Sequence, residues 1–66
     1  VPNWTEEELS LLGWQWAGHA MLICDKNPQL WKEWVEYANA NIDPTKTTDS
    51  KMGKALTKFV DERSQP

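Results

Sequence analysis

LSLLGWQWAGHAMLIC, residues 9–24, carries more apolar side chain than the outer face of any surface helix needs. On a helix turning about 100° per residue, Leu9, Leu12, Gly13, Trp16, Ala17, Ala20, Ile23 and Cys24 share one broad face. Leu11, Trp14, Gly18, Met21 and Leu22 fall nearly opposite, and Glu8, Gln15, His19 and Lys26 form a narrow polar strip between the two. A surface helix ordinarily shows one apolar stripe a little over about 100° wide. A chain of about this size buries only ~60% of the surface it exposes when unfolded. A continuous rod from about residue 6 to residue 25 would therefore present a second apolar face that its neighbours cannot cover. Gly13 and Gly18 qualify that reading, since each weakens a helix interior by about 1 kcal/mol relative to alanine. They mark either a break in the rod or a place where another helix comes close.

The rod starts on clear signals. Thr5 is a good N-cap, Glu8 completes a capping box, and Trp4 and Leu9 hold the two staple positions. Glu6, Glu7 and Glu8 suit the positive end of the helix dipole, so helix initiation explains this acid run without a functional patch. Asp25-Lys26-Asn27-Pro28 is a stop followed by a new start, with Asn27 as cap and Pro28 at the first helical position. The second helix, about residues 28–42, buries a stripe of Leu30, Trp31, Trp34, Val35, Ala38 and Ile42. Pro44 disfavours helical geometry in Asp43 and so ends it. Residues 43–48, DPTKTT, are a polar loop. Thr48 or Asp49 caps a third helix, about residues 50–62, with Met52, Ala55, Leu56, Phe59 and Val60 as its buried stripe. Arg63 to Pro66 read as a frayed tail. No segment alternates with strand period, so the expected fold is all-α: one domain, residues 1–66, as a small three-helix bundle or a helix-turn-helix-like array.

Composition narrows the function classes. Five tryptophans among 66 residues supply core volume that a short chain otherwise lacks. A single cysteine, Cys24, rules out an intramolecular disulfide framework. The apolar run is too short and too interrupted to span a bilayer, which takes about 20 residues. No basic segment precedes it as in a signal peptide. The chain is expected to be cytoplasmic, and its start at Val1 reads as an excised domain or a trimmed tag. His19 and Cys24 point in different directions on one helix, so they form no nucleophile–base pair. One histidine and one cysteine make no local zinc site. Gly13, Gly18 and Gly53 match no phosphate-loop spacing. The expectation is a non-enzyme without metal or cofactor.

Two surfaces remain. The apolar second face, Leu11, Trp14, Gly18, Met21 and Leu22, has the residue types found at interface hot spots. It is expected to dock on a protein, either the chain's own copy or a larger machine, as in a small phage-type inhibitor or adaptor. A symmetric dimer would set Trp14 and Gly18 of two copies together. The other surface is basic. The net charge is −3, but residues 1–43 hold seven acids and two lysines, whereas residues 44–66 hold five bases and three acids. Lys51, Lys54 and Lys58 lie at i, i+3 and i+7, with Lys46 in the loop before them. They could follow nucleic-acid phosphates, with Gly53 allowing close approach and Thr57 adding a hydrogen bond.

Residues 30–41, LWKEWVEYANAN, a polar loop, and then SKMGKAL at residues 50–56 resemble the C-terminal DNA-binding domain of phage and plasmid primase-helicases. The resemblance rests on Leu30, Trp31, Trp34, Tyr37, Asn41, Ser50, Gly53 and Leu56. It implies a helix–loop–helix that contacts DNA within a replication protein. The sequence departs from that family in lacking a β-wing after the last helix and in its acidic balance.

Overall fold

The computed structural model describes residues 3–64. Four helices follow one another: α1 (Glu6–Trp16), α2 (Gly18–Lys26), α3 (Pro28–Asn41) and α4 (Asp49–Ser64). The fold is the expected all-α bundle, with no strand among the described residues. It has four helices because the first expected rod is two.

The start of α1 is built as its sequence dictates. Glu8 N–H donates to Thr5 Oγ1 at 3.1 Å, and Thr5 N–H donates back to Glu8 Oε1 at 3.1 Å. A cap of this kind contributes about 1 kcal/mol. Trp4 ahead of it is buried; its backbone N–H donates to Asn39 Oδ1 at 2.7 Å and its indole N–H to the Ile42 carbonyl at 2.9 Å. These two bonds pin the entry of α1 to the far end of α3.

The rod breaks at Ala17, where φ is −150° and ψ is 50°. Ala17 N–H still closes onto the Gly13 carbonyl at 2.8 Å, and Met21 N–H onto the Ala17 carbonyl at 2.9 Å. No backbone bond joins the Gly18, His19 or Ala20 N–H to α1, so the helical pairing is interrupted for one turn and resumes at Met21. Alanine itself favours helix, so local propensity does not ask for this break. Packing does. Bending lets Met21 fold against Gly13, where an added Cβ would lie within van der Waals distance of the Met21 thioether. It also leaves room for α4, whose Gly53 comes up against the Trp16 carbonyl and Cβ. The expected continuous helix is corrected to two short ones, with the bend at the point where α4 crosses.

The remaining elements follow their caps. Asn27 Oδ1 accepts from Leu30 N–H at 3.2 Å and Pro28 opens α3. In the loop, Asp43 accepts from Thr45 N–H at 2.8 Å and from Thr45 Oγ1 at 2.7 Å. Those bonds hold the Asp43 carboxyl below its ordinary pKa. Of the two candidate caps for α4, Thr48 does the work: its Oγ1 accepts from Lys51 N–H at 3.3 Å. Arg63 belongs to α4 and is no frayed tail; its guanidinium lies 3.5 Å from the centre of the Phe59 ring. The remainder of the expected tail, Gln65 and Pro66, lies outside the described residues.

One apolar cluster joins all four helices. Its buried members include Leu9, Met21, Cys24, Trp34, Leu56 and Val60. α4 packs against α1 and α2, and α3 closes on α2 and α4. The radius of gyration is 10.8 Å, against about 11 Å for a compact chain of this length. Side chains left outside are therefore not exposed for want of collapse.

Candidate docking groove

The bend at Ala17 redistributes the two expected faces. Met21, placed on the outer face by the reading of a continuous helix, is buried. Trp16, placed in the core, is 52% exposed. On one helix these two residues stand about 140° apart, so they cannot share a face. The fold chose Met21. The close approach of Gly53 to the Trp16 backbone leaves the indole no room inward. Of the other proposed interface residues, Leu11, Trp14 and Leu22 remain outside at 58%, 46% and 51% exposure. Gly18 opens α2, half-buried, and a Cβ there would meet nothing within 4 Å. No close helix contact uses it.

Leu11 and Trp14 stand beside a groove of about 640 Å³. One wall comes from α1, through Glu6, Glu7, Ser10, Leu11 and Trp14. The opposite wall comes from Met21, Cys24 and Asp25 of α2, then Pro28 and Trp31 of α3. The α1 residues recur at spacings of three and four, so they form a ridge along one side of that helix. From Glu7 to Trp14 the ridge runs about 10 Å, or two helical turns. Trp31 closes one end, where its indole N–H donates to Glu6 Oε1 at 3.3 Å. Leu22 is exposed on α2 but is not part of either wall.

The groove combines apolar and acidic side chains. Its apolar area is supplied by Leu11, Trp14, Met21 and Trp31. Its ionisable residues are Glu6, Glu7, Asp25 and Cys24. Burial pushes the Cys24 thiol above its ordinary pKa. His19 is exposed while Cys24 is buried, so the two do not face one another. Among the described residues no group of three or more His, Cys, Asp or Glu side chains is placed to hold a metal ion. No described helix is long and apolar enough to cross a membrane.

Sequence reasoning missed the acidic members of the groove and its Trp31 end. Glu6 and Glu7 have a sufficient local explanation in helix initiation, and Trp31 fits the apolar stripe of α3. The one available signal was the excess of acids in residues 1–43.

The lysines of the second surface all lie outside: Lys46 in the loop and Lys51, Lys54 and Lys58 on α4. Lys54 and Lys58 share a shallow depression with Trp16, Thr57, Asp61 and Glu62. The expected roles of two neighbours change. Gly53 also lines that depression but is buried, and its missing side chain makes room for the Trp16 backbone at the end of α1. Thr57 Oγ1 already donates to the Gly53 carbonyl at 2.9 Å.

Compared with known protein families, with curated proteins and with solved structures, the chain matches none.

Proposed function

We propose that this chain is a non-catalytic interaction module that takes the apolar side of another protein's helix into the groove between α1, α2 and α3. The observation that carries this reading is the pair Leu11 and Trp14, about half exposed on one ridge of a collapsed domain and opening onto an apolar floor. Tryptophan is among the residues that dominate binding energy when a partner desolvates it. A groove two turns long between helical ridges suits the mode in which a helix inserts side chains at i, i+3 or i+4, and i+7.

The test is a titration of isotopically labelled protein with an uncharged amphipathic helical peptide, followed by amide NMR shifts. Shifts are expected to concentrate on residues 6–14 and 21–31. Trp14→Ala should weaken binding about tenfold or more, which is about 1.4 kcal/mol. Its melting temperature should barely move, because substitutions at exposed sites usually stay within about 0.5 kcal/mol. No shift in that region at millimolar peptide would remove the reading.

A second reading has its own observation. Trp16 offers an exposed indole beside Lys54 and Lys58. An aromatic plane next to ammonium groups is the arrangement on which single-stranded nucleic acid stacks and neutralises its phosphates. The resemblance to the primase-helicase domain points the same way. Anisotropy of a labelled oligonucleotide at low salt should then show binding that Lys54→Glu and Trp16→Ala each weaken, and that added salt abolishes. An oligonucleotide that binds the double variant equally well would rule this surface out.

A further inference from the structure

We propose that the helix seated in this groove is a basic amphipathic helix from a different protein, an inference that rests on the docking reading above. The groove's walls carry three carboxylates, Glu6 and Glu7 on α1 and Asp25 on α2, and no lysine, arginine or histidine. Glu6 is engaged by the Trp31 indole. Glu7 and Asp25 are exposed and make no side-chain hydrogen bond or ion pair among the described residues. Asp25 also lies in the last turn of α2, where the helix dipole adds negative potential. The groove therefore carries a free acid on each wall, Glu7 on the same α1 ridge as Leu11 and Trp14, and Asp25 on α2. A helix with an apolar stripe flanked by lysine or arginine matches that layout, with its stripe on the floor and its cations against the walls.

The same charges argue against a second copy of this chain as the occupant. A two-fold contact is self-complementary, so it would bring Glu6, Glu7 and Asp25 of one copy against the same three of the other. Like charges opposed across an interface disfavour that partner. Of the chain's own cations, Lys26 ends α2, Lys32 lies on α3 and Lys46 in the loop, and the densest group, Lys51, Lys54, Lys58 and Arg63, is on the α4 face. A copy docking with that face would form a head-to-tail contact, which builds a ring or an open filament and no two-fold dimer.

Two peptides about four turns long, with identical leucine stripes, separate these possibilities. One is flanked by lysine and arginine and the other by glutamate; calorimetry measures each against the full chain. The basic peptide is expected to bind at least about tenfold tighter than the acidic one, with the difference shrinking as salt is raised. Glu7→Lys with Asp25→Lys should reverse the order. Glu7→Gln with Asp25→Asn, gentler on the fold, should level it, and circular dichroism checks that both variants stay helical. Equal affinity for the two peptides would overturn the charge assignment while leaving docking of the uncharged peptide intact. Loss of binding by the uncharged peptide as well would remove the docking reading itself. Sedimentation of the wild type as a dimer that Trp14→Glu dissociates would also overturn the proposal, since the occupant would then be a second copy.

Discussion

Trp34→Ala is expected to destabilise the fold by about 3–5 kcal/mol, the range for truncating a buried tryptophan or phenylalanine. The side chain is 1% exposed and stands where α3 meets α4. Its ring meets Phe59 edge-on at 5.3 Å between centroids and stacks with Tyr37 at 5.9 Å. Such pairs add about 0.5–1.5 kcal/mol beyond simple burial. At about 0.05–0.15 kcal/mol per residue, a domain of this length has only about 3–10 kcal/mol in total. The variant should therefore be largely unfolded at the low end of that range, and its melting midpoint should fall by well over about 10 °C at the high end. A thermal melt followed by circular dichroism reads the effect directly. Trp34→Phe is the informative partner. The indole Nε1 is buried with no hydrogen-bond acceptor among the described residues. Phenylalanine leaves a cavity but also removes an orphaned donor whose burial costs about 1–3 kcal/mol. The phenylalanine variant should keep most of the stability that the alanine variant loses. Equal losses in both would mean that the donor has a partner, such as a buried water, that the phenylalanine strands.

The contrast between Trp34 and Trp14 shows which features local rules can reach. Trp34 sits on a helix with one apolar stripe, properly capped at Asn27 and Pro28, so periodicity alone places it inside. The caps at Thr5 and Thr48 and the stripe of α4 are legible for the same reason: each depends on residues within one or two turns. Trp14, Trp16 and Met21 are different. Their stretch is apolar nearly all round, so periodicity gives no preferred inward direction. The choice between Trp16 and Met21 is made by α4, more than 30 residues away in sequence. The bend at Ala17 hides for a related reason: alanine gives no local signal, and the adjacent Gly18 only weakens the helix. Gly53 was the available clue, a glycine within an otherwise regular stripe. Read as room for a nucleic acid, it is room for the end of α1. The groove lies one step further from the sequence, because its walls come from three helices and exist only once the bend has formed. Its acids were visible as a charge asymmetry, but nothing local says that Glu7 and Asp25 face a common space.

Gly53→Ala is the sharpest test of that packing. A Cβ built on Gly53 would stand 2.5 Å from the Trp16 carbonyl oxygen, 2.6 Å from Trp16 Cβ and 2.9 Å from its carbonyl carbon. None of these atoms belongs to a flexible side-chain end that could swing aside. Relief requires α4 to slide off α1 or the bend at Ala17 to open. Overpacking of this kind costs about 1–3 kcal/mol and occasionally more, and contact with backbone puts this site toward the upper end. The gain in helix propensity from replacing glycine, about 1 kcal/mol, offsets only part of it. The other two glycines serve as internal standards. At Gly13 the nearest neighbour is the Met21 thioether, a flexible chain that can rotate, although Leu56 Cδ2 at 3.2 Å limits how far. At Gly18 nothing lies within 4 Å and φ is not positive, so alanine there should stabilise by about 0.4–1 kcal/mol. Thermal melts should rank Gly18→Ala above wild type, Gly13→Ala below it and Gly53→Ala lowest. In Gly53→Ala, binding of the uncharged peptide should weaken too, because the bend that brings Trp14 and Met21 to one groove is held by the same crossing. A Gly53→Ala protein as stable as Gly18→Ala would mean that α4 does not cross α1 at Trp16. The bend would then have lost its cause, and the groove the geometry that defines it.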